Sequence, residues 1–228
     1  VLHPALLVLA DGRFPAGGHA HSGGVEAAVR AGRVHDAGSL EAFCAGRLGT
    51  VGLTAAALAA SAALGMDLHA LDEAAEARTP SPALRATSRR LGRQLLRAAR
   101  AAWPPTPESA LAAVARELPG GGYQPVVFGV VAAAAGLGPA EAATAVAYES
   151  VSGPVTACVR LIGLDPFQAT AVLARLAGAI GEVAEAAVTA AVMAAEAGDL
   201  DLLPTASAPL LDIYAEQHAA WPVRLFAS

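Results

Sequence analysis

Proline and glycine cut this chain into long alanine- and leucine-rich runs, and that punctuation constrains its fold more than any other feature. Ser81-Pro82 supplies a capping hydroxyl followed by proline at the first helical position, and Thr106-Pro107 repeats the signal. Pro139 and Pro166 open two further runs, while Gly32, Gly65 and Gly136 close others. Branched and aromatic residues do not alternate as strands require, so the chain reads as all-α. Aromatics are 4% of 228 residues, which leaves the 55% hydrophobic share mostly to Ala, Leu and Val. Alanine buries little area, so many thin helices must approach closely. The pattern predicts a single compact bundle of antiparallel helices over residues 1–228, with 205–228 as a partner-binding C-terminal segment.

The spacing predicts helices near 4–10, 24–31 and 39–64, the last capped by Ser39. Asp67 caps another to Arg78, and Ser81-Pro82 starts one to Trp103. A helix beginning at Thr106-Pro107 ends at Pro119, and another spans 125–135. The run from Pro139 is expected to bend or break at Gly153-Pro154, because proline removes a donor and clashes with the preceding turn. A long core helix follows over 166–197. Gly46, Gly49 and Gly52 form a small-residue ridge for close packing within or between chains. The uncharged run 50–66 falls short of a usual membrane span and contains Thr54 and Ser61, which favours a buried helix.

A formal net charge of −5 argues against a general nucleic-acid binder. Cys44 and Cys158 are far apart with no CxxC spacing, and no basic-then-apolar leader opens the chain. These features predict a reduced, cytoplasmic protein with no membrane partner.

Three features stand out from the helical background. The first is the segment from Asp11 to Glu26, with five glycines, Pro15, His19 and His21. Asp11, His19, His21 and Glu26 are candidate metal ligands, although imidazoles in a tight loop also satisfy backbone groups. Asp11, His21 and Ser22 do not form a nucleophile elbow, and there is no GxxxxGK[ST] loop. The second is the stripe Arg85, Arg89, Arg93 and Arg97, with Arg90 and Arg100 and no acid between 85 and 100. It reads either as docking for an acidic partner or as a face paired with distant carboxylates of the same fold. The third is the C-terminal strip of Leu210, Leu211, Tyr214, Trp221, Leu225 and Phe226. So apolar a segment should be docked on a partner or on its own domain.

The residues resemble the F-type urease accessory protein family, helical components of the nickel-urease maturation machinery. The match runs through Asp11, Pro15, Gly17, Ser22-Gly23-Gly24, Glu26 and Gly32, then Arg85, Ser88 and Gly92. It continues through Pro125-Val126-Val127-Phe128-Gly129 and Arg160-Leu161, and ends in Pro209, Leu211-Asp212-Ile213, His218, Arg224-Leu225-Phe226 and Ser228. The family usually has His where this chain has Gln124, and a Pro-Leu-Gly-Gln-like run where it has residues 162–166. The resemblance implies a non-catalytic scaffold without a cofactor. It implies partners too: a D/H-type accessory protein, the nickel-carrying G-type GTPase and apo-urease, with the chain itself a homodimer. On this reading Tyr214, Trp221, Arg224, Leu225 and Phe226 contact the D/H-type protein, and His218 is a further partner-binding residue. The loop carrying His21 and Glu26 faces the GTPase. The alternative is a nickel-binding carrier using Asp11, His19 and His21.

Overall fold

The runs bounded by proline and glycine fold as helix, and no strand occurs among the described residues. The structure, a computed structural model, describes residues 3–226 apart from the side chain of His19, so Ser228 of the C-terminal signature lies outside it. Its α-helices are α1 (Pro4–Ala10), α2 (Val25–Arg30), α3 (Ala37–Arg47), α4 (Leu53–Ala63), α5 (Leu68–Ala77) and α6 (Pro82–Ala102). They continue with α7 (Ala110–Glu117), α8 (Gln124–Ala134), α9 (Pro139–Leu161), α10 (Pro166–Ala197) and α11 (Pro209–Ala219).

Helix α4 is the centre of the bundle, packed against α8, α9 and α10. Its residues 56–62 are all buried, and five of these seven are alanine, so neighbouring helices can close on it from several sides. A close approach occurs at Gly129 of α8, where a Cβ would collide with the carbonyl oxygen of Ala59. Ser61 is fully buried and donates its hydroxyl to the Ala57 carbonyl at 2.9 Å, which satisfies it inside its own helix. Among the described residues two helical stretches, Ala37–Ala63 and Pro166–Ala197, are long and apolar enough to cross a membrane by length and composition. The central position of α4 accounts for the apolarity of the first. Helix α6 packs on α8, and α11 lies across α6 and α2.

Several boundaries differ from the sequence expectation. Asp36, not Ser39, caps α3: its carboxylate accepts the Ser39 amide at 2.7 Å, and the Ser39 hydroxyl accepts the Asp36 amide at 3.0 Å. Ser109 caps α7, because residues 106–109 close a turn in which the Ser109 amide donates to the Thr106 carbonyl at 3.1 Å. Between α3 and α4 the helix widens into a π-turn over Leu48–Gly52, where the Thr50 hydroxyl donates to the Gly46 carbonyl at 2.7 Å. Gly46, Gly49 and Gly52 therefore form no continuous ridge. Gly52 meets Ser150, while Gly46 and Gly49 face open space.

Helix α9 runs through Gly153-Pro154 without breaking. Proline removes the amide that would serve the Ser150 carbonyl, and Arg47 Nε of α3 donates to that oxygen at 2.9 Å instead. Burial lowers the Arg47 pKa from its ordinary value.

Candidate functional site

The segment from Asp11 to Gly24 crosses the bundle at α6 and α9. Phe14 rests on Trp103 at the end of α6, with ring centroids 6.1 Å apart. Gly23 lies against Pro154 and the Arg47 side chain, and Gly24, at φ +89°, turns the chain into α2 beside Leu211. A side chain at Gly24 would meet both a strained backbone and that leucine. Asp11 binds Arg13, with 2.6 Å between Oδ2 and Nη2. Ser22 is fully buried and its hydroxyl accepts the Glu26 amide at 3.4 Å, so it is not presented as a nucleophile. His21 is half-buried, its backbone carbonyl facing Gly153 of α9. Among the described residues no three His, Cys, Asp or Glu side chains converge to hold a metal ion.

Glu26, expected on a partner-facing loop, is instead buried at the first turn of α2 and joins the two ends of the chain. His218 Nε2 donates to its Oε2 at 2.8 Å. The amides of Leu225 and Phe226 donate to Oε1 and Oε2 at 2.9 and 3.1 Å. Burial opposes ionisation there, but the Leu225 amide, His218 and the Phe226 amide outweigh it and hold the carboxyl below its ordinary range. Aromatic contacts surround this centre. Arg30 of α2 covers the Trp221 ring at 4.2 Å, His218 and Trp221 lie 4.7 Å apart, and Arg160 of α9 faces Phe226 at 5.1 Å. A groove of about 440 Å³ opens beside them between α2 and α11.

Further contacts fasten the C-terminal segment to its own bundle. Arg78 donates to the carbonyls of Leu200, Leu203 and Pro204 at 2.8, 3.3 and 3.0 Å, and the Thr54 hydroxyl donates to Ala206 at 3.0 Å. At the N-terminus of α6, Glu216 accepts the Ser81 hydroxyl and the Ala83 amide, a negative charge at the positive end of the helix dipole. These bonds hold Glu216 below its ordinary pKa. Tyr214, His218 and Phe226 thus face inward. The outer side of the same segment is apolar: Leu210, Ile213, Val223 and Leu225 are 40, 52, 80 and 62% exposed. Arg224 is exposed and Trp221 half-buried.

The arginine stripe divides. Arg89 is committed within the fold: it lies 3.0 Å from Asp72 and 2.9 Å from Glu76, donates to the Gly121 carbonyl at 2.9 Å, and covers Tyr123 at 4.4 Å. Asp72 also accepts the buried Tyr123 amide at 2.8 Å. Arg93 donates to the Gly120 carbonyl at 2.8 Å, and Arg85 is half-buried. At Arg89 the stripe is therefore paired with carboxylates of the same fold, those of α5, which a short connection separates from α6. Gln124, at the position of the family histidine, donates to Glu149 at 3.1 Å. Burial pushes the Glu149 carboxyl up to about 7.

Arg30, Glu216 and Arg78 take part in docking the C-terminal segment and its approach, and the sequence carried no signal of that role. Arg160 also takes part, and stood out in the sequence only through the Arg160-Leu161 pair. Cys44 and Cys158 are fully buried free thiols, pushed by burial up to about 12 and about 11.

The UreF family model matches residues 34–177. The chain is 42% identical over 224 residues to the urease accessory protein UreF of Mycobacterium sp. (strain JLS), covering 98% of this chain and 97% of the relative. It is 42% identical over 230 residues to UreF of Mycolicibacterium vanbaalenii, at the same coverage of both chains. Against UreF of Mycobacterium tuberculosis (strain ATCC 25177 / H37Ra) it is 38% identical over 224 residues, again covering 98% and 97%. With the family model spanning more than half of the chain and these relatives nearly all of it, the chain belongs to the UreF family of urease accessory proteins.

Proposed function

We propose that this chain is a urease-maturation scaffold that binds a D/H-type accessory protein through the outer face of its C-terminal segment. With that protein it recruits the nickel-carrying G-type GTPase to apo-urease in the cytoplasm. UreF family members are non-catalytic accessory proteins of urease, so the work of the chain is recognition.

The observation that carries this reading is the two-sided C-terminal segment. Its inner side chains, Tyr214, His218 and Phe226, fix it on the bundle, and its outer side offers Leu210, Ile213, Val223 and Leu225 to solvent. A pre-docked apolar strip binds without the entropy cost of ordering a free tail. Trp221 and Arg224 lie on the same segment and belong to the contact. The loop carrying His21, laid over α6 and α9, forms part of the GTPase-facing surface, and Glu26 acts there by holding the C-terminal segment in place. Nickel is cargo of the assembled complex. Two copies associate along α10, whose outer face exposes Val192 and Met193 among alanines.

The test is co-purification of the D/H-type protein with the double variant V223E/L225E. Both residues are exposed, so the variant keeps its melting temperature while losing at least tenfold in retained partner. Full retention by the folded variant overturns the reading. Light scattering of the purified chain checks the homodimer.

A further inference from the structure

On the second half of α6, away from the α11 contact at its N-terminus, Arg93, Arg97 and Arg100 line a groove of about 450 Å³ formed with α7. Their spacing of four and then three residues sets them on one helix face, spanning about 10 Å at the ordinary helical rise. Leu96, Leu118 and Pro119 supply an apolar floor. No carboxylate among the described residues lies within 4.0 Å of any of these three guanidinium groups. Arg89, one turn before them, is by contrast neutralised by Asp72 and Glu76. Arg93 is held in place by its bond to the Gly120 carbonyl at 2.8 Å, which fixes one wall of the groove before anything binds.

We propose that this groove binds a short acidic segment of a partner protein, with carboxylates about 10 Å apart on the arginines and an apolar side chain between them. Three observations choose a peptide over a nucleic acid. The floor is apolar where a phosphate chain makes no use of it, and no aromatic ring lines the groove to stack a base. The chain's net charge of −5 also repels a polyanion at long range, while a local cluster of arginines still attracts a few carboxylates. The surface is separate from the C-terminal strip, so its test leaves the scaffold reading untouched.

The experiment titrates the full chain with a fluorescein-labelled peptide carrying Glu at every third position and Leu between, which sets carboxylates about 10 Å apart in an extended chain, followed by anisotropy at 50 and 300 mM salt. A Gln-Leu peptide and a single-stranded oligonucleotide of equal length serve as comparators. The Glu-Leu peptide binds, weakens at least tenfold at high salt, and loses at least tenfold in R97E/R100E. The variant melts as the parent does, because both arginines are exposed and neither has an ion-pair partner among the described residues. R97Q/R100Q repeats the measurement if the charge reversal fails to fold. Unchanged binding in a folded variant, equal binding of the Gln-Leu peptide, or tighter binding of the oligonucleotide overturns the proposal.

Discussion

Glu26 and His218, separated by 192 residues, meet at 2.8 Å, with 10% and 1% of their side chains exposed. Their contact closes the chain on itself, and the amides of Leu225 and Phe226 share the same carboxylate. Glu26→Gln keeps the shape and removes the charge that these donors need. The substitution is expected to cost about 1–3 kcal/mol. Trypsin cleavage after Arg224 is expected to become several-fold faster; an unchanged rate would show that other contacts suffice to hold the segment.

The same carboxyl sets an acid response. Its folded pKa lies below the ordinary value of 4.5, so its contribution is complete above that value and is lost as pH falls through the lowered one. Amide-exchange protection at Leu225 and Phe226 is expected to hold at neutral pH and collapse in acid, after correction for intrinsic rates. Glu26→Gln is expected to abolish that step.

Glu149 behaves in the opposite sense. Burial raises its carboxyl from 4.5 to about 7, so ionisation favours the unfolded chain. Stability from this group is present below pH 4.5 and drains away as pH rises to about 7. Glu149→Gln, whose amide can still pair with Gln124, is expected to stabilise the protein by about 2 kcal/mol at pH 8 and to change little at pH 4. Urea unfolding at both values reads the difference.

Two arginines of one helix are expected to differ sharply on removal. Arg89→Ala strands the partly buried Asp72 and frees the Gly121 carbonyl, a cost of about 2–3 kcal/mol. Arg97→Ala, exposed and with no ion-pair partner among the described residues, is expected to change stability by less than about 0.5 kcal/mol. Thermal unfolding of the two variants side by side measures the contrast.

The sequence disclosed what local rules govern. Ser81-Pro82 and Asp67 start helices where the spacing puts them, because a cap needs only its own next three residues. Thr106 and Ser109 both qualify as caps by that rule, and turn geometry outside the pattern chose the second. The passage of α9 through Pro154 was hidden because the compensating donor, Arg47, is 103 residues from Ser150. Glu26 and His218 were each conspicuous, but on what looked like two separate surfaces; only the folded bundle makes them one site. Arg89 and Arg97 read alike along the helix and differ only in whether α5 reaches them.

The bond between Arg47 and Ser150 ties the history of two positions together. Replacing Arg47 while Pro154 is present leaves a buried carbonyl without a donor, a loss of about 1–3 kcal/mol. Replacing Pro154 by alanine first restores an amide to that carbonyl, after which Arg47→Leu is expected to be far milder; a double-mutant cycle measures the coupling. Descent through this pair is therefore directional: the proline can be surrendered before the arginine, and the reverse order passes through a weakened fold.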